Sequence, residues 1–215
     1  LVADQLTVRW ILDRRADAIS IFKHYKEGLN REVTYKKMAE EIMDHVREGK
    51  YVTAAFYGHP GVFVDPSHRA IKMAREEGYY ARMLPGIAAD SCLIADLGID
   101  PSREGWQAYE ATHLVIAEKR IDPSTPLAIW QIGVVGDLTY SPNGFNLSAM
   151  DILKRKLLEV YPEHHLICVY EASEYSVVDF TQSWIQLKQL SADYVTALST
   201  LYIPPCREAR VDEEG

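Results

Sequence analysis

An α/β fold in two domains is what this sequence predicts, and three observations carry the prediction. Helical and strand periods alternate along the chain, three apolar runs each end in a glycine-bearing loop, and Asp122-Pro123-Ser124-Thr125-Pro126 places two prolines within five residues. The domains expected from that break are 1–122 and 123–215. With 215 residues, 47% of them apolar, the chain can bury a sizeable core.

The elements follow in order. Residues 4–14 read as a helix, and 17–22 suits either a short strand or the start of a helix. The clearest helix spans about 31–48, where Tyr35, Met38, Ala39, Ile42, Met43 and Val46 recur at helical spacing before Gly49 closes it. "YVTAAFY" at 51–57 reads as a buried strand. Asp65-Pro66-Ser67 then has the chemistry to start a helix that Gly78 stops, and 80–84 reads as a further strand. "AADSCLIADLG" is a short apolar helix, and "WQAYEA", "LAIWQIGVV", "HLICVYEA" and "TALSTLYIPP" read as strands, with a helix over 148–160 among them.

Composition excludes several classes. The net charge is −8 with basic residues scattered, so there is no positive stripe for nucleic acid. No apolar run approaches the ~18 residues of a membrane span, and no secretory leader is visible, so a cytoplasmic protein is expected. Cys92, Cys168 and Cys206 form no C-x-x-C pair and read as reduced thiols. Asn146-Leu147-Ser148 matches a glycosylation sequon by chance on this reading. The chain opens at Leu1 without Met, and "LVAD" reads like the end of a strand under way, so a first strand and loop are expected upstream.

The glycine loops are "YGHPG" at 57–61, "LPGIAA" at 84–89 and "WQIGVVG" at 130–136. Each follows an apolar run, where open α/β sheets bind ligands and where glycine lets a small molecule approach the backbone. None is a phosphate cradle, a G-x-G-x-x-G or a G-x-S-x-G. No metal is expected, since His59 has only His68 as a near neighbour of ligating type.

The stretch "YGHPGVFVDPSHRAIKMAREEGYYARMLPGIAADSCLIADLGIDPSREGWQAYEAT" at 57–112 closely resembles the tetrapyrrole methylase superfamily of S-adenosylmethionine-dependent methyltransferases. Within it the chain is most similar to the borosin peptide-backbone α-N-methyltransferases of the split bacterial type, and "HYKEGLNREVTYKKM", "WQIGVVG", "VYEAS" and "STLYIPP" fall in family order. The resemblance implies a two-domain fold with S-adenosylmethionine in the interdomain cleft. Tyr57, Gly58, His59, Pro60, Gly61 and Val64 would then wrap its methionine part. Ile87, Ala88, Ala89, Gln131, Tyr170, Glu171, Ala172, Thr200 and Leu201 would contact its adenosine. It also implies an interlocked homodimer. Where the family has "GISAED" this chain has "GIAADS", so Ala88 stands in place of a hydroxyl. Fungal relatives carry their substrate peptide at the C-terminus, whereas this chain ends in the charged "REARVDEEG", so a precursor peptide in trans is expected.

The chemistry sets its own demands. A sulfonium methyl is already activated, so the enzyme must align the nucleophile and exclude water. A backbone amide nitrogen has its lone pair delocalised into the carbonyl and must lose its proton, which calls for a tuned base and for a cation on the amide oxygen. "HYKEGLNREVTY" offers Tyr25, Arg31 and Tyr35, with Tyr57 as a fourth residue at the cofactor loop. By the resemblance, Tyr25, Arg31 and Tyr35 match the family's catalytic Tyr, Arg and Tyr, and Tyr57 adds a fourth catalytic candidate. From the residues alone, Tyr35 could equally be core and Arg31 a solvated first-turn residue. A porphyrinoid C-methyltransferase, expected to lack this set, and a noncatalytic cofactor-binding partner subunit are the alternative functions.

Overall fold

The computed structural model describes residues 5–139, 149–173, 175 and 177–209. The chain divides into two compact units, Leu1–Ala89 with Leu138–Pro142, and Asp90–Asp137 with Asn143–Gly215. The boundary expected at Asp122 therefore falls inside the second unit. There the proline segment is a packed turn: the Gln107 side-chain amide donates to the carbonyls of Asp122 (2.8 Å) and Thr125 (3.1 Å), and its oxygen accepts from the Asp122 N–H at 2.9 Å.

The first unit is built on helices. They are α1 (Gln5–Leu12), α2 (Arg31–Arg47) and α3 (Asp65–Glu76), with a 3₁₀ turn over Ile21–His24 where the sequence left strand and helix undecided. Asn30 caps α2, its side chain accepting from the Glu32 N–H at 2.8 Å. The buried face of α2 is Thr34, Met38, Ala39 and Met43. That stripe is rotated from the expected one, so Tyr35, Ile42 and Val46 are only half-buried. Helix α3 begins after Val64 with Pro66 in its first turn, where a missing N–H costs nothing. Of the strands expected at 51–57 and 80–84 only Phe56 is bridged: 51–55 and 80–84 belong to no ladder among the described residues. An extended run becomes a strand only when its N–H and C=O groups find a neighbour, and Tyr51, Tyr80 and Leu84 stand exposed.

The second unit carries a five-stranded sheet in the order β1-β2-β5-β3-β4, namely β1 (Gln107–Glu110), β2 (Leu127–Trp130), β3 (Leu166–Glu171), β4 (Thr181–Gln186) and β5 (Thr200–Ile203). Strands β1 and β2 pair in parallel and the other neighbours are antiparallel. Period-2 alternation sorts the side chains. Ile167 and Val169 of β3 with Leu201 and Ile203 of β5 join Leu153 and Leu157 of α6 (Met150–Leu158) in the main core. Cys168, Tyr170 and Tyr202 face the other way onto Leu93 of α4 (Ala89–Leu97). Strand β4 and helix α5 (Ala111–Ile116) were not expected. The run "WQAYEA" stops being strand at Glu110 because that carboxylate turns to cap α5, accepting from the N–H groups of Thr112 (2.9 Å) and His113 (2.7 Å).

No helix among the described residues is long and apolar enough to cross a membrane. Burial raises the phenols of Tyr161, Tyr170 and Tyr202, the last to about 12. Unfolded tyrosine ionises near pH 10, so above that pH the unfolded chain holds fewer protons than the native one, and stability falls as pH rises. Urea unfolding between pH 8 and about 11 should show a midpoint that is flat below about pH 9 and drops above it. A midpoint that rises with pH in that window would contradict the burial.

Candidate active site

In the first unit the 3₁₀ turn delivers Tyr25. Its N–H closes the turn on the Phe22 carbonyl at 2.9 Å, and the two residues before it are tied to α2, Lys23 to Glu41 at 2.7 Å and His24 to the same carboxylate at 2.5 Å. The Tyr25 ring meets Tyr35 edge-on at 6.4 Å. Burial pushes the Tyr25 phenol well above its ordinary range; the charges of Tyr35 and Tyr57 and a hydrogen bond with Tyr35 add to the rise, and Arg31 opposes it. One hydroxyl thus feels all three other residues singled out from the sequence.

Arg31 is the first residue of α2. Its N–H donates to the Leu138 carbonyl at 3.0 Å and its Nε to the Thr139 carbonyl at 3.1 Å, while Asn30 and Thr139 form an isolated antiparallel bridge. A guanidinium has five N–H donors, and the Thr139 contact spends one. Arg31 is therefore held by a segment more than a hundred residues away in sequence, not left as a solvated first-turn residue.

The loop after Tyr57 is built on bare backbone. Gly58 adopts φ 69°, and a Cβ on Gly86 would collide with the Gly58 carbonyl, so "YGHPG" and "LPG" cross at van der Waals distance. His59 Nδ1 accepts from the Gly61 N–H at 3.0 Å, and the Ser67 hydroxyl engages the carbonyls of Pro60 and Val64. A Cβ on Gly61 would meet Met83 Sδ at 2.6 Å, so the Met83 side chain packs directly over this bare position. Tyr57 and Ile87 are exposed, Val64 is half-buried, Ala88 is buried and Ala89 exposed.

In the second unit Gln131 follows β2 in the left-handed conformation, φ 58° and ψ 35°. Among the described residues only Phe63 (φ 57°) shares that conformation without being glycine. Gln131 lies in the third glycine loop and Phe63 two residues beyond the first, and such strain persists only where the surroundings demand it. Glu171 ends β3; its Oε1 accepts from the hydroxyls of Thr196 (2.5 Å) and Ser199 (2.6 Å). The Tyr170 side chain is buried and donates to Asp96 Oδ2 at 2.6 Å, and Leu201 lies in the main core. Any ligand contact from those two positions is therefore made by backbone. Ala172 follows the end of β3, and Thr200 begins β5 opposite Tyr170. Sequence reasoning missed Phe63, Thr196 and Ser199. A backbone angle leaves no mark in composition, and hydroxyls before a strand look like any turn.

Among the described residues no group of three or more His, Cys, Asp or Glu side chains could hold a metal ion.

The fold resembles that of solved methyltransferases. The crystal structure of the methyltransferase CobJ superposes with a TM-score of 0.57 at 16% identity, covering 81% of this chain and 72% of that one. Uroporphyrin-III C-methyl transferase from Thermus thermophilus, complexed with S-adenosyl homocysteine, gives 0.56 at 12% identity over 79% and 72%. The family model described as Tetrapyrrole (Corrin/Porphyrin) Methylases matches residues 2–174. The chain belongs to this family. In sequence it is 40% identical over 215 residues to the methyltransferase and cyclic peptide dendrothelin A precursor of Dendrothele bispora, covering 98% of this chain and 51% of that one. It is 38% identical over 208 residues to the corresponding omphalotin A precursor of Omphalotus olearius, covering 95% and 50%. The type III borosin precursor of Anomoporia bombycina is 38% identical over 219 residues, 25% of its length. This chain thus spans between a quarter and about half of these relatives.

Proposed function

We propose that this chain is a methyltransferase that uses S-adenosylmethionine to methylate backbone amide nitrogens of a peptide. The observation that carries the reading is the grouping of Arg31, Tyr35 and Tyr57 around the Tyr25 hydroxyl. When bound, S-adenosylmethionine supplies a methyl already activated on a sulfonium. This chain must add removal of the amide proton, stabilisation of charge on the amide oxygen, and exclusion of water.

On this reading the tasks divide among four residues. Tyr25, with its phenol raised, keeps its proton and acts as a hydrogen-bond donor. The base is then Tyr35, half-buried beside it, which takes the proton from the amide nitrogen while Arg31 holds the amide oxygen through its remaining N–H donors. Tyr57, exposed at the head of the glycine loop, orients the peptide. We assign Gly58, His59, Pro60, Gly61, Val64, Ile87, Ala88 and Ala89 in the first unit, and Gln131, Tyr170, Glu171, Ala172, Thr200 and Leu201 in the second, to binding the cofactor. Isothermal titration with S-adenosylhomocysteine should give saturable heat, and no binding would remove the cofactor from the account.

The names of the relatives join methyltransferase and peptide precursor, which supports a peptide substrate. Adding a precursor peptide separately decides whether it is taken in trans. A porphyrinoid substrate is the outcome that opposes this reading, and inert protein that binds cofactor alone would indicate a partner subunit. We further propose a homodimer in the cytoplasm, which suits three free thiols. Light scattering on the full-length protein should give twice the protomer mass, and a monomer at micromolar concentration would refute the assembly.

A further inference from the structure

We propose that Glu171 is a positioning residue for the cofactor, acting through the Thr196–Ser199 turn. The inference rests on the proposed use of S-adenosylmethionine and gives Glu171, among the residues assigned to the cofactor, an indirect role.

Three observations converge on one turn. Glu171 Oε1, at the end of β3, accepts from the Thr196 hydroxyl at 2.5 Å and the Ser199 hydroxyl at 2.6 Å. The turn is also laced internally: the Ser199 N–H donates to the Thr196 carbonyl (3.2 Å), the Thr196 N–H to Ser199 Oγ (2.8 Å), and the Leu198 N–H to Thr196 Oγ1 (3.1 Å). Finally, Gly133 lies so close to the Thr196 carbonyl that no Cβ fits between them.

These contacts make one rigid link across three strand ends. Ser199 leads into Thr200 and Leu201, the start of β5; Gly133 is two residues beyond the strained Gln131 after β2; Glu171 closes β3. Both hydroxyl hydrogen bonds fall on Oε1, so that oxygen of the Glu171 carboxylate is committed to the turn. What it can do is hold the turn, and through Gly133 hold Gln131 in its left-handed pose. Cofactor affinity then depends on Glu171 because it keeps the strand-end backbone in place before the ligand arrives.

The test is titration of the full-length protein with S-adenosylhomocysteine. Glu171→Ala should weaken binding about tenfold, since two charge-assisted hydrogen bonds are lost. Glu171→Gln, whose amide oxygen still accepts both hydroxyls, should stay within about threefold of wild type. The pair Thr196→Val with Ser199→Ala should reproduce the loss, and adding Glu171→Ala to that pair should cost less than about a further twofold, because the partners are already gone. If Gln is as damaging as Ala and the triple variant loses affinity additively, Glu171 touches the ligand and the clamp is wrong. Unchanged affinity in Glu171→Ala overturns the clamp alone. Absence of binding by the wild type overturns the clamp together with the cofactor assignment.

Discussion

Arg31→Ala and Tyr35→Phe should each lower peptide methylation about 10²–10³-fold while leaving S-adenosylhomocysteine affinity within about threefold of wild type. The split follows from what each group does. An amide nitrogen becomes nucleophilic only as its proton leaves, and the charge that develops spreads onto the carbonyl oxygen. A guanidinium at that oxygen interacts more strongly in the transition state than in the ground state, so its loss appears in kcat. Arg31 suits the task because its Nε is pinned to the Thr139 carbonyl at 3.1 Å, which fixes the plane of the group before substrate binds. Tyr35 lies edge-on to Tyr25, whose phenol retains its proton, so removing the Tyr35 hydroxyl removes the base and leaves the donor without its partner. Tyr25→Phe should be milder, about tenfold, because it removes a supporting hydrogen bond. If Arg31→Ala retains full activity, or if both variants lose cofactor affinity in parallel with turnover, the division of labour is refuted.

Gly133→Ala should be the most damaging small substitution in the second unit. The added Cβ would lie within the Thr196 carbonyl group, and both sides of the clash are backbone, so no rotamer change relieves it. A cost of about 3 kcal/mol or more is expected, enough to abolish soluble expression of a marginally stable domain. Gly78→Ala is the control. Gly78 has φ 83° and open space around its Cα, so alanine there pays only backbone strain, about 1 kcal/mol. Comparable urea midpoints for the two variants would show that the Gly133 contact is not as close as it stands.

The sequence revealed the helices more reliably than the strands, and the reason lies in what each element needs. Helix α2 was legible from its stripe and from Gly49 because a helix satisfies its own backbone groups. The runs at 51–57 and 80–84 have good strand composition, but a ladder depends on a neighbour that local sequence does not contain. Strand β4 has the opposite history: "TQSWIQ" reads as polar, and it forms because β3 pairs with it along its full length. The proline segment at 122–126 looked like a linker because Pro breaks regular structure, whereas here it turns the chain between two paired strands.

The candidate site divides in the same way. Tyr25, Arg31, Tyr35 and Tyr57 were found through family resemblance, and the structure brings them around one hydroxyl. From residue pattern alone Tyr35 could not be separated from core. In the structure it is half-buried, with the buried stripe rotated toward Thr34, and this supports its proposed role. Tyr170 and Leu201 give their side chains to Asp96 and to the main core, so the cofactor contacts proposed for them fall to backbone, which residue type does not reveal. The Thr196–Ser199 turn carried no signal because its importance lies in Glu171 and Gly133, both distant in sequence.

The central claim is that this chain methylates backbone amides. Its most direct test is tandem mass spectrometry of a precursor peptide, encoded beside the full-length protein and incubated with it and S-adenosylmethionine. The account predicts mass increments of one methyl each, with fragment ions placing every one on a backbone nitrogen and none appearing with Arg31→Ala on the same time scale. Methyls found only on side chains, or a protein that leaves peptides untouched and methylates a porphyrinoid carbon, would contradict it.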